Sequence, residues 1–184
     1  YDGNEHTATV NKSQDWQGEA VDTSTIVYTK EGDDTFIGKP KDAGTYTASI
    51  TVGEGENAAT ASVKYTIAQA ELTIDSVTVA SKTYNGSADA EITNVTFTGL
   101  KNSEALTKDT DYEVSGTFNS ANVNEANKVT GTVTLKDTSK VKNYKLPITT
   151  YDVSATIAQA ATPAAPTGLT GVKDQLLSTV SLAA

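Results

Sequence analysis

The chain has 184 residues and a net charge of −9, with one histidine, no cysteine, and lysine as its only basic residue besides that histidine. This excludes disulfides and thiolate metal sites, and it disfavours nucleic acid as a partner, because phosphates need a basic surface. No stretch approaches 18 apolar residues, so no membrane-spanning helix is encoded. The chain opens on Tyr1 without an initiator methionine and reads as a piece of a longer protein.

Threonine, valine, alanine and asparagine are plentiful, which suits pleated strands with one buried face and one wet face. Alternation and turn residues predict strands at 6–10, 24–29, 34–37, 45–53 and 60–69 in the first part of the chain. Further strands are predicted at 71–80, 90–99, 111–119, 128–136 and 151–159. Within ELTIDSVTVA (71–80) the apolar phase slips at Asp75–Ser76, and a bulge or break there restores inward packing. LKNSEALTKD (100–109) offers one short helical turn. After Ala160, ATPAAPTGLTG (161–171) reads as a linker, and VKDQLLSTVSLAA (172–184) as the start of a further domain.

The elements repeat. TIAQA occurs at 66–70 and at 156–160, and YDG at 1–3 is echoed by YNG at 84–86. Tyr1 and Tyr84 lie 83 residues apart, and at that offset Tyr46, Ala48, Ile50 and Val52 fall on Val129, Gly131, Val133 and Leu135. Each set has period 2 and so shares one face of a strand. The interval from Tyr46 to Ile67 is 21 residues, whereas that from Val129 to Ile157 is 28. The seven extra residues fall around KDTSKVKNYKLP (136–147), where a surface hairpin tolerates insertion at small entropic cost. The fold expected is all-β: tandem immunoglobulin-like β-sandwiches, elongated, with a stiff junction at AQAE, which contains neither glycine nor proline. The expected division is 1–70, a sandwich repeat lacking its first strand; 71–160, a complete repeat; and 161–184, the linker and the truncated start of another domain.

Residues 42–48, DAGTYTA, follow the D-x-[AG]-x-Y-x-C approach to strand F of a variable-type immunoglobulin domain, with Ala48 at the cysteine position. Ala48 is matched by Gly131, so both repeats place a small residue there. Asp42 and Gly44 are expected to shape the turn, and Tyr46 to cap the corner with its hydroxyl. Tyr84 and Gly86 are expected to pack and turn the chain at a strand start.

These motifs carry a resemblance. YNGSADA, VTFTGL, DYEVSGTFNSANV and NEANKVTGTVTL in 71–160 resemble the YDG type of bacterial β-repeat, and YDGNEHTATV with KPKDAGTYTASITV in 1–70 resemble the MBG type. The resemblance implies immunoglobulin-like domains in tandem within large bacterial surface proteins and adhesins. It further implies an exported, extracellular location at the cell surface or cell wall, and a stalk or spacer role.

Candidate chemistry is sparse. His6 has no cysteine or second histidine to work with, and it reads as a solvated residue beside a turn. Trp16, in SQDWQGE, is the one indole and the candidate for stacking on a sugar ring. KDTDYE (108–113) offers Asp109, Asp111 and Glu113 as calcium oxygens, but it matches neither the EF-hand nor the nonapeptide repeat and reads as a solvated loop. The expectation is therefore a non-enzymatic spacer module with no cofactor and no catalytic residue. Its partners would be neighbouring repeats of the same chain, and the alternative is a module that binds a glycan or a host protein.

Overall fold

The computed structural model describes residues 1–10 and 25–163. It is all-β. Among these residues helix is confined to short 3-10 turns, including Gly55–Asn57 and Val141–Asn143. No helix among them is long and apolar enough to cross a membrane.

The N-terminal part of the described chain forms one antiparallel sheet, ordered β1 (Val27–Lys30), β2 (Gly44–Val52), β3 (Ala59–Ile67). Its register sets Tyr28 and Val63 opposite Ala48, and Lys30 and Tyr65 opposite Tyr46. The period-2 pattern thus puts Tyr46, Ala48, Ile50 and Val52 on one face. Residues 5–10 run alongside without entering a ladder. They are tied on by the His6 N–H to the Pro40 carbonyl at 2.7 Å, and by the Tyr65 hydroxyl to the His6 carbonyl at 2.7 Å.

The chain from Ala70 onward begins with β4 (Ala70–Glu71), β5 (Thr73–Val79) and β6 (Lys82–Thr83). It continues through β7 (Ile92–Thr98), β8 (Tyr112–Phe118) and β9 (Lys128–Leu135), and closes with β10 (Tyr144–Lys145), β11 (Thr150–Ser154) and β12 (Ile157–Ala158). β5 pairs with β7, and β8, β9 and β11 form an antiparallel sheet ordered β11-β9-β8. Two short parallel pairs, β4 with β10 and β6 with β12, join early strands to late ones. One apolar cluster fills the interior: Ile92 and Val95 from β7 meet Tyr112, Phe118, Val129, Val133 and Tyr151 from the three-stranded sheet. Val129 and Val133 are fully buried, and burial of each such side chain contributes about 1.5–3 kcal/mol.

Several sequence expectations meet their outcome here. The phase slip in β5 is a bulge: the register jumps between Ile74 and Ser76, leaving Asp75 unpaired. Ile74, Val77 and Val79 can then all pack on the same core. Residues 34–37 are not a strand. Asp33 accepts from the Thr35 N–H at 3.1 Å and from its hydroxyl at 2.7 Å, and that local turn displaces the ladder. Nor does 100–109 form a helical turn, because Asn102, Ser103 and Asp109 adopt positive φ values of 49°, 59° and 65°. The insertion at 136–147 is not a free surface hairpin either. Val141, Asn143 and Tyr144 within it are buried.

Candidate functional site

The DAGTYTA corner forms as its residues suggest. The Tyr46 hydroxyl donates to the Asp42 carbonyl at 2.8 Å, across the turn that leads into β2. Tyr46 is buried, packs edge-on against Phe36 with ring centroids 5.4 Å apart, and has the Lys30 ammonium 5.6 Å from its ring centre. Gly44 leaves room for that lysine, since a Cβ there would lie 2.7 Å from Lys30 Cε. Ala48 is buried opposite Tyr28. In the second repeat Gly131 stands opposite Tyr151, whose hydroxyl donates to the Ser115 carbonyl at 2.6 Å. A Cβ on Gly131 would fall 1.9 Å from that carbonyl and 2.5 Å from the Tyr151 hydroxyl. In both sheets a tyrosine on the neighbouring strand thus stands opposite the small residue, Tyr28 opposite Ala48 and Tyr151 opposite Gly131.

A second corner contact leads out of the first repeat. Asn143 donates from Nδ2 to the Asp42 carboxylate at 2.9 Å and accepts the Ala43 N–H at Oδ1 at 2.8 Å. This buried asparagine spans 101 residues of sequence to clasp the turn before β2. Beside it, the Gln69 amide donates to the Lys142 carbonyl at 3.0 Å.

Tyr1 completes the junction. Its ring packs edge-on against Tyr144, centroids 5.5 Å apart, over a small core of Ala70, Leu72 and Tyr144. The Tyr1 nitrogen donates to the Ala68 carbonyl. The two phenols converge on one carboxylate: Tyr1 donates to Glu104 Oε1 at 2.6 Å, and Tyr144 to Oε2 at 2.7 Å. Burial, reinforced by the bond to Glu104, pushes the Tyr144 phenol up to about 12 and raises Tyr1 as well. Asn102 donates to the Gly3 carbonyl at 2.8 Å. Gly3 has φ +80°, and a Cβ there would sit 1.9 Å from Asn102 Nδ2, so the close approach requires glycine.

This cluster was not singled out from the sequence. Glu104 sits in a segment that reads as a turn, and Asn143 and Tyr144 in one that reads as a tolerated insertion. The insertion itself was the available signal: seven residues present in one repeat only, carrying a tyrosine and an asparagine among lysines.

The other candidates are placed apart. Asp111 is buried and accepts from the Thr107 N–H at 2.9 Å, the Thr138 hydroxyl at 3.1 Å and Lys140 at 3.2 Å. Burial alone would raise its pKa, but these three donors outweigh it and the net shift is downward. Glu113 pairs with Lys136 at 2.9 Å, and the Asp109 carbonyl accepts from the same lysine at 2.7 Å. Asp109, Asp111 and Glu113 therefore do not converge, and among the described residues no group of three or more acidic or histidine side chains is placed to hold a metal ion. His6 contacts Asp2 at 2.9 Å on an exposed face. Tyr84 and Gly86 are exposed, so the expectation that Tyr84 packs at a strand start is not met within the described residues. Trp16 lies outside the described residues, as does the tail from 164 onward. A cleft of about 880 Å³ opens between Thr7–Val10, Ile26–Tyr28 and Phe36–Lys39, and its described lining contains no carboxylate.

The family model of the YDG domain matches residues 68–151, from just before β4 to Tyr151 in β11. Comparison with curated proteins finds no match, and comparison with solved structures finds none. The span similar to the YDG domain thus holds Glu104, Asn143 and Tyr144, the receiving side of the junction.

Proposed function

We propose that the chain is a non-enzymatic spacer segment of a larger exported bacterial surface protein, built from two immunoglobulin-like β-sandwich units in tandem. In this reading the first unit is of the MBG type and the second of the YDG type. Their work is mechanical: they hold a neighbouring domain at a set distance and orientation from the cell wall. The observation that carries this reading is the junction. Two repeats meet through TIAQAELTI without a linker, and polar contacts fasten the joint: half-buried Tyr1 and buried Tyr144 on Glu104, and buried Asn143 on the Asp42 turn. A spacer needs resistance to bending at its joints, and a small apolar core with charge-assisted hydrogen bonds supplies it. The partners on this reading are neighbouring repeats of the same chain.

The test is rotational. ¹⁵N relaxation on the intact chain should give one correlation time for both units, and small-angle scattering should give one inter-unit distance. Independent tumbling of the two units would overturn the spacer reading. Labelling intact bacteria that carry the parent protein with antibodies to 1–160 tests the location, and failure to label unpermeabilised cells overturns it.

A further inference from the structure

The turn that docks the first repeat onto the second is present again, uncovered among the described residues, at the far end of the second repeat. Tyr1 donates its nitrogen to the Ala68 carbonyl, and Tyr84 donates its own to the Ala158 carbonyl at 2.8 Å. Asp2 Oδ1 accepts the Asn4 N–H at 2.9 Å, and Asn85 Oδ1 accepts the Ser87 N–H at 3.1 Å. Gly3 and Gly86 share a φ of +80°. Gly3 is buried under Asn102, whereas a Cβ on Gly86 would meet nothing within 4 Å. Tyr1 lies on Tyr144 and Glu104, whereas the Tyr84 ring is 44% exposed. The same backbone shape is held in both places, once covered and once, among the described residues, open.

We infer that the Tyr84–Asn85–Gly86 turn is a preformed docking surface for the leading face of another YDG-type unit. That partner presents a carboxylate to the Tyr84 hydroxyl, a buried tyrosine to its ring and a primary amide to the Gly86 carbonyl, as Glu104, Tyr144 and Asn102 do for Tyr1 and Gly3. The second unit repeats the turn half of a dock whose receiving half it also carries, so the surface continues the interface already described. Only part of the dock is repeated. Glu125, at the position of Asp42, is bound to Ser120 at 2.7 Å and to Asn122 at 3.1 Å, so no asparagine clasp is available there. The surface therefore engages a unit tethered on the same chain, where effective concentration compensates for the smaller contact.

The inference rests on the spacer reading, and its test separates the two. A second copy of residues 71–160 is joined directly after Ala160 of the chain, reproducing the TIAQAELTI passage. The expected result is that the third unit tumbles with the first two. The Gly86 amide resonance should also shift towards the position of Gly3, and Tyr84→Ala should release the third unit alone. Independent tumbling of the third unit with Gly86 unshifted, while the first two stay coupled, overturns the inference and leaves the spacer reading standing. Uncoupling of the first two units overturns both. Should the extended chain not fold, ¹⁵N-labelled native chain is titrated with a Tyr1→Ala chain, whose Glu104–Tyr144 face is vacated. Shifts at Tyr84 and Gly86 support the dock, and their absence at millimolar concentration counts against it.

Discussion

Replacing Glu104 with glutamine keeps the length of the side chain and removes its charge. In the native junction one carboxylate accepts two phenols, at 2.6 and 2.7 Å. Glutamine offers a single oxygen and an NH₂ donor, and Tyr144 already accepts the Lys101 N–H at 3.0 Å. One phenol keeps a neutral bond and the other loses its acceptor. A hydrogen bond to a charged group contributes about 1.5–3 kcal/mol and a neutral one about 0.5–1.5, so Glu104→Gln should cost about 2 kcal/mol. For a chain of this size that lowers Tm by about 4–8 °C. Spectrophotometric titration at high pH supplies a second readout. The folded Tyr144 phenol ionises at about 12, above its unfolded value of 10.0, so its contribution to stability is intact below pH 10 and is lost as the pH rises through 12. Because burial is the larger cause, the substitution should bring Tyr144 down from 12 without returning it to the ordinary tyrosine value. A variant that melts within about 1 °C of the native chain, with unchanged phenol titration, would refute the charge-assisted account of the junction.

Four further outcomes are expected. Gly3→Ala forces a side chain into Asn102 at a positive φ, and it should uncouple the two units in ¹⁵N relaxation while each unit keeps its own dispersed spectrum. Gly131→Ala presses on the Ser115 carbonyl and the Tyr151 hydroxyl, and should destabilise the second unit by about 3 kcal/mol, read as a lower urea midpoint and faster amide exchange along β8 and β9. Tyr46→Phe removes the hydroxyl bond to Asp42 and should lower the stability of the first unit by about 1 kcal/mol, measured by urea denaturation. Asp111, with its pKa lowered, contributes stability above the ordinary aspartate value of 3.8 that is lost as the pH falls through its folded value; Asp111→Asn should flatten the acid limb of the stability profile.

Much of the fold was legible before any coordinates. Period-2 alternation located most of the strands, and the slip between Ile74 and Val77 located the bulge in β5. The tyrosine corner followed from three residues at fixed spacing, because its hydrogen bond spans only four residues. Two of the failures share one cause. At 34–37 and 100–109 side-chain capping and positive φ values decide the conformation, and neither leaves a periodic trace in sequence.

Local chemistry along the chain thus determined the all-β class, the corner at Tyr46 and the small residues at Ala48 and Gly131. Only the tertiary structure decided which remote segments meet. Glu104 meets a phenol 103 residues away and another 40 residues away, and Asn143 clasps a turn 101 residues distant. Such contacts depend on where folding brings remote segments together, and no spacing rule encodes that. The seven-residue insertion illustrates the difference: as sequence it is an extra length of hairpin, and in the folded chain it carries the asparagine and the tyrosine that fasten the joint.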